Sequence, residues 1–284
     1  MEHYGGAGHS SEIIKKLTDK GTLIGIDKDE EALMASRRKL EKYKNVIYIH
    51  NNHDKIKEIL NTLHIKEVDG ILLDLGISSY QIDEKERGFS YMADANLDMR
   101  MDKNQELTAW QVVNEYKEET IADILFNYGE EKFSRAIARN IVLSRKKASI
   151  DTTKQLVEII EKSIPGFAKT KNSHPAKKTF QAIRIEVNNE IRPLEKTVKD
   201  CIESLKSGGR LCIITFHSLE DRAVKKAFIE SEGKCTCLPD LPYCVCNKKK
   251  LGEIITKKPI IPTEKEKKEN PRSKGAKLRI FEKR

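Results

Sequence analysis

The chain has 284 residues, of which 38% are apolar and 34% charged, enough for one large domain with an insertion around a real core. No apolar run reaches the ~18 residues of a membrane helix and no signal peptide is read, so the expectation is a cytoplasmic protein with no membrane association, whose six cysteines are thiols or metal ligands rather than disulfides. The net charge of +9 resides in residues 247–284, with 14 basic and 5 acidic residues; the remainder is balanced. A local basic excess suits a polyanion such as nucleic acid.

Gly5-Gly-Ala-Gly-His-Ser10 leads into a predicted helix with Ile13, Ile14 and Leu17 on one face, broken at Gly21. Residues 22–26 read as a buried strand ending at Asp27, 29–43 as a helix, 46–49 as a strand and 54–63 as a helix. Residues 68–75 read as a third, nearly all-apolar strand. This alternation predicts a parallel sheet covered on both faces. From 107 to 163 the periodicity is helical throughout, with helices near 107–116, 119–127, 130–146 and 152–163. The polar stretch 169–178 closes that block. A helix over 190–205 stops at Ser207-Gly208-Gly209, a buried strand follows over 210–216, and a helix over 219–231. A cysteine-rich loop, a Lys/Pro-rich stretch and a short strand over 276–281 complete the chain. The fold class is α/β with an inserted helical domain.

Glycines in the first loop let the backbone turn tightly and approach a ligand. Asp27, 19 residues after Gly8, stands where an acid accepts bonds from ribose hydroxyls. With the strand ending at Asp74, these residues define a crevice for a nucleotide-like cofactor. The glycine loop also fits an NAD-dependent oxidoreductase, but no hydride-transfer motif accompanies it. Cys235-Thr-Cys237 and Cys244-Val-Cys246 offer four thiolates, either to a structural zinc ion or as free oxidisable thiols.

The loop 5–10, Asp74-Leu-Gly-Ile-Ser-Ser-Tyr-Gln81, Glu86-Arg-Gly-Phe-Ser-Tyr91, Leu97-Asp-Met-Arg-Met-Asp102, Thr179-Phe-Gln-Ala-Ile-Arg184, Phe216-His-Ser-Leu-Glu-Asp-Arg222 and Pro271-Arg-Ser-Lys-Gly-Ala-Lys-Leu-Arg-Ile280 together resemble the MraW/RsmH family. The resemblance implies a Rossmann-like S-adenosylmethionine-dependent methyltransferase fold. It implies methylation of the N4 of a cytosine in the decoding centre of 16S ribosomal RNA, within the small ribosomal subunit. Residues 1–103 and 180–284 are then the methyltransferase domain, and 104–179 the helical insertion domain. By motif, the cofactor contacts are Ala7, Gly8, His9, Asp27, His53, Asp74 and Gln81; the family often has an aromatic residue where His53 stands. The acceptors for the amine are Asp74, Ser78 and Ser79, in place of the Asp/Asn-Pro-Pro-aromatic loop of many amino-methyltransferases. Phe89 and Tyr91 are candidates to stack on a splayed base. Arg135 and Arg139, sharing a helix face with Arg145, Lys146 and Lys147 beyond, are candidates for phosphate contacts. His217 reads either as a catalytic group or as a helix cap. Methyl transfer needs no metal, so no metal ligand is assigned. A homodimer is one option for assembly. A non-catalytic RNA-binding or ribosome-assembly factor is the rival reading. Removing residues 262–284 is expected to cost RNA affinity.

Only Met1–Tyr4 precede the glycine loop, too few for the first strand that precedes it in this fold. The expectation is a truncated or mis-started family member. Its strands ending at Asp27 and Asp74 would lack backbone partners, leaving the chain marginally stable and weak in cofactor binding.

Overall fold

The structure is a computed structural model describing residues 7–168, 174–234 and 249–284. The four cysteines 235, 237, 244 and 246 lie outside the described residues, as do Gly5 and Gly6. The elements in chain order are α1 (Gly8–Ile14), β1 (Leu23–Asp27), α2 (Glu30–Lys39), β2 (Val46–His50), α3 (Ile56–Thr62), β3 (Val68–Asp74), α4 (Ser79–Asp83), α5 (Ala109–Glu115), α6 (Glu118–Gly129), α7 (Ser134–Arg145), α8 (Thr153–Ser163), α9 (Lys177–Asn188), α10 (Leu194–Glu203), β4 (Leu205–Thr215), α11 (Ser218–Glu232), β5 (Gly252–Ile254), α12 (Glu264–Glu269) and β6 (Lys277–Lys283). This is an α/β protein of the Rossmann-like kind. Strands alternate with helices up to β3, and helices alone run from α4 to α10.

Two compact units form, each from two chain segments. The first is Met1–His50 with Ile77–Glu190. In it β1 and β2 pair in parallel, Leu23 opposite Val46 and Asp27 opposite His50. Both strands are half-buried, and β1 pairs with β2 alone among the described residues. The core of this unit is helical. Ile121 and Leu125, Ile137 and Ile141, Leu156 and Ile160 stand four residues apart on α6, α7 and α8, each within 1% of full burial. That spacing stacks side chains on one helix face. Thr108 and Thr152 cap α5 and α8 through reciprocal bonds with Gln111 and Gln155.

The second unit, Asn51–Gly76 with Ile191–Arg284, holds a four-stranded sheet ordered β3-β4-β6-β5. β3 and β4 run parallel; β6 is antiparallel to both of its neighbours. Phe228 of α11 packs on Phe281 of β6, with ring centroids 5.3 Å apart.

The structure departs from the sequence reading at identifiable points. The helix expected over 190–205 begins only at Leu194, because Pro193 has no N–H to continue a ladder and sits at the N-cap. The helix expected from 130 begins at Ser134: Glu130 is left-handed (φ 50°), ending α6, and the Glu131 carboxylate accepts the Phe133 N–H. β4 starts at Leu205, five residues earlier than expected; Val68 faces Leu205 and Gly70 faces Arg210, so the glycines at 208–209 lie in a local excursion rather than between elements. Helix α9 forms where the sequence reading places no element.

Close packing of α6 against α9 leaves no room for a side chain at Gly129 without a shift of the backbone. A Cβ there would lie 2.7 Å from the Lys178 carbonyl oxygen and 3.3 Å from the Ala182 Cβ. Gly129→Ala is expected to cost about 1–3 kcal/mol in denaturant unfolding. Gly166→Ala, where an added Cβ meets nothing within 4 Å, should stay within about 0.5 kcal/mol of the parent.

Candidate functional site

In the first unit, β1 delivers Asp27 to its carboxyl end. Asp27 Oδ1 accepts the Asp29 N–H at 2.8 Å, fixing the turn into α2. Asp29 is the N-cap of α2, and its Oδ1 accepts the Glu31 N–H at 3.1 Å. Asp27 remains exposed, yet the protein around it displaces water. Desolvation, with the Asp29 charge beside it, pushes its pKa above the usual carboxylate range, against the backbone N–H bonds it accepts and the Lys28 charge.

Ala7 is left-handed (φ 58°) and forms the N-cap of α1; the Ser11 hydroxyl donates to its carbonyl at 2.6 Å. A Cβ built on Gly8 meets nothing within 4 Å among the described residues. His9 is exposed.

Ser78 caps the short helix α4. Gln81 N–H donates to Ser78 Oγ (3.2 Å), and Ser78 N–H donates to Gln81 Oε1 (3.0 Å). Ser79 is the first helical residue. Gln81 is 4% exposed, and its Nε2 donates to Asp29 Oδ2 at 2.7 Å. Both ends of this side chain are therefore engaged within the protein. Arg87 joins the same carboxylate: Nη2 donates to Asp29 Oδ2 (3.1 Å) and to the Arg100 and Met101 carbonyls (2.9 and 3.0 Å), and Nη1 to Glu31 Oε2 (2.8 Å). Sequence reasoning missed Asp29 and Arg87. Asp29 carries only the ordinary signal of an N-cap followed by two glutamates. Arg87 lies 58 residues from its partner, beyond the reach of any local pattern. An open polar cleft of about 300 Å³ beside them is lined by Glu31, Tyr80, Arg87, Asp98, Arg100 and Lys103, among others.

Phe89 is buried in the hydrophobic core, its ring 5.7 Å from the Arg87 guanidinium. Tyr91 stacks on His174 (4.6 Å) and meets Phe180 edge-on (5.7 Å). Arg135 and Arg139 are exposed on α7. Arg145 is not available to phosphates as expected: it donates to the Val113 and Tyr116 carbonyls at 2.7 and 2.5 Å, closing the C-terminal end of α5.

In the second unit, Asp74 is the exposed last residue of β3, and the next N–H, of Leu75, donates to the Ile214 carbonyl. His53 is half-buried in a single helical turn over His53–Lys55. His217 is a helix cap. Its Nδ1 accepts the Glu220 N–H (3.4 Å), and Glu220 Oε2 accepts the Phe216 and His217 N–H groups (2.7 and 3.3 Å). Cys201 is fully buried, and desolvation pushes its thiol up to about 12, which makes it inert as a nucleophile. Among the described residues, no helix is long and apolar enough to cross a membrane.

The sequence profile of the MraW methylase family matches residues 3–284. Proteins named ribosomal RNA small subunit methyltransferase H from Clostridium botulinum strains 657 (type Ba4), Kyoto (type A2) and Loch Maree (type A3) are each 57% identical over 279 residues, covering 98% of this chain and 90% of theirs.

The raised Asp27 pKa has a stability consequence with a definite sign. The folded protein holds this proton more tightly than the unfolded chain. The resulting loss of stability is absent below the ordinary Asp value, grows as pH rises through it, and is complete above the raised value. Asp27→Asn keeps an acceptor for the Asp29 N–H and removes the charge. Its melting temperature at neutral pH is expected to exceed that of the parent, and the gap should close as the pH is lowered toward ~4.

Proposed function

The chain belongs to the MraW methylase family, and from that premise we propose that it transfers a methyl group from S-adenosylmethionine to the exocyclic N4 of a cytosine in the decoding centre of 16S ribosomal RNA, acting in the cytoplasm on the small ribosomal subunit. The observation that carries this reading is the match, along 98% of the chain, to relatives named for methylation of that subunit's RNA. In this reading 1–103 and 180–284 form the cofactor domain and 104–179 an inserted helical domain that meets RNA.

The residues present fit the cofactor. No described residue crowds Gly8, and Asp27 offers an exposed carboxylate at a strand's carboxyl end. When bound, S-adenosylmethionine supplies an electrophilic methyl group on a sulfonium. Asp27 accepts hydrogen bonds from the ribose hydroxyls, which are stronger when it is ionised. Ala7, Gly8 and His9 line the methionine and adenosine parts, and His53, Asp74 and Gln81 complete the contacts assigned by motif.

Cytosine N4 is a poor nucleophile because its lone pair is delocalised into the ring. On taking the methyl group, with the sulfonium leaving as a neutral thioether, N4 would gain positive charge and pass its proton to the Asp74 carboxylate or to water. The Asp74 carboxylate and the Ser78 and Ser79 hydroxyls are the acceptors that hold the amine in line and accommodate that charge. Tyr91 is the aromatic face proposed for the splayed base, with Phe89 supporting the same segment from the core. Arg135 and Arg139 meet backbone phosphates.

Small subunits lacking the modification, incubated with the protein and methyl-labelled cofactor, should acquire label on one cytosine N4 of the RNA. Label elsewhere, or none with cofactor binding verified, would overturn the assignment. Asp27→Ala is expected to weaken cofactor binding by roughly 1.5–3 kcal/mol in calorimetry, the scale of bonds to a charged group.

The basic tail needs a different test from deletion. Removing 262–284 would take out β6, an interior strand of its sheet carrying the fully buried Phe281. Neutralising the exposed Lys257, Lys258, Lys265 and Lys268 leaves the sheet intact. RNA affinity should fall, and the slope of log affinity against log salt should flatten by roughly 0.7 for each phosphate no longer neutralised. An unchanged slope would show that these lysines do not meet the RNA.

A further inference from the structure

One buried residue, Asp29, links both ends of the site just proposed, through its backbone N–H at one end and through Gln81 at the other. The backbone N–H of Asp29 donates to Asp27, the acid assigned to the ribose. The side chain of Asp29 accepts Gln81 Nε2 at 2.7 Å and Arg87 Nη2 at 3.1 Å. Gln81 in turn is bonded twice to Ser78, assigned to the acceptor amine, through Ser78 N–H to Gln81 Oε1 and Gln81 N–H to Ser78 Oγ. Asp29 is 2% exposed, Gln81 4% and Arg87 5%, so water does not compete for the bonds that Gln81 Nε2 and Arg87 Nη2 donate to Asp29.

We propose that Asp29, with Gln81 and Arg87, is a positioning cluster that couples the ribose-binding turn to the amine-binding loop. The proposal rests on the methyltransferase reading above. A displacement of the 78–81 loop when a cytosine enters shifts the Gln81 amide and is felt at the Asp27 carboxylate. Cofactor and RNA therefore strengthen each other's binding.

The Gln81–Asp29 bond has a polarity that can be inverted. In Asp29→Asn the amide nitrogen that replaces one carboxylate oxygen faces the donors of Gln81 and Arg87. In Gln81→Glu one carboxylate faces another. The double variant Asp29→Asn/Gln81→Glu sets an amide donor against a carboxylate, keeps the net charge, gives Arg87 a neighbouring anion and leaves Gln81's bond from the Ser78 N–H replaceable by Glu. Each single variant should lower kcat/KM for labelled methyl transfer roughly ten-fold or more, raising KM for cofactor and RNA together. The double variant should recover most of that loss. If Gln81 acts independently of Asp29, Gln81→Glu impairs transfer and adding Asp29→Asn does not restore it, which overturns the proposal.

A measurement on the unaltered protein covers the case in which a single variant fails to fold. S-adenosylmethionine alone should slow backbone hydrogen exchange at Ser78–Gln81 as well as at Asp27–Asp29. Protection confined to Asp27–Asp29 would refute the coupling. Absence of any cofactor-dependent protection in the unaltered protein, together with absence of methyl transfer, would instead refute the methyltransferase reading on which the proposal stands.

Discussion

A carboxylate with 2% of its surface exposed cannot stand without a counter-charge, and Asp29 is such a group. Arg87 supplies the charge, and the remaining guanidinium bonds go to the Arg100 and Met101 carbonyls. The Met101 N–H donates to Asn188 Oδ1, and Asn188 Nδ2 donates to the Met99 and Arg184 carbonyls. One continuous set of hydrogen bonds therefore runs from the end of β1 to the C-terminal end of α9. Breaking a buried pair of this kind by removing one partner typically costs about 3–5 kcal/mol, because the other charge is left stranded. The placement of Asp27 and of the 78–81 loop is inherited from that one neutralised charge.

What could be read in the sequence was what local pattern encodes. β1 and β2 are short apolar runs closed by polar residues. α6 and α8 carry apolar stripes at helical spacing, and α8 opens on a Thr-x-x-Gln capping signature. α9 escaped because its first turn falls in the polar stretch before it. Lys177, Lys178, Gln181 and Arg184 recur at helical spacing on its less buried side, opposite the buried Phe180, Ala182, Ile183 and Val187, so the amphipathic period was there but began inside a run read as a loop. β5 has three residues and exists only because β6 pairs with it. In the site, Asp27 was legible from its position at a strand's end. The partners of Gln81 were not, because Asp29 lies 52 residues away. His217 illustrates a third limit: the sequence left its capping role open, and only the bonds to and from Glu220 establish it.

Net charge is also a coarser guide than its location. Of the basic residues near the C-terminal end, Arg279 and Lys277 pair with Asp221, and Arg284 pairs with Glu253 and Glu282. These cations are tied to the sheet and contribute little field toward a polyanion. Among the cations left exposed are lysines in the stretches between strands, Lys257, Lys258, Lys265 and Lys268, where salt screens them readily.

The parallel pairing of β3 with β4 sets Val68 opposite Leu205, roughly 135 residues apart, with Ile77–Glu190 of the other unit contained in the interval. Closing so long a loop as random chain is slow, and its entropic cost is recovered only once the strands meet. If the intervening segment collapses first, the gap to be bridged shrinks to the distance between two points on a folded body. The order of events is then hierarchical, with the helical core preceding the four-stranded sheet. During the delay Ile71, Leu72 and Leu73 have no strand beside them. The nascent molecule thus passes through an interval in which its stickiest apolar segment is open to chaperones, proteases and its own copies.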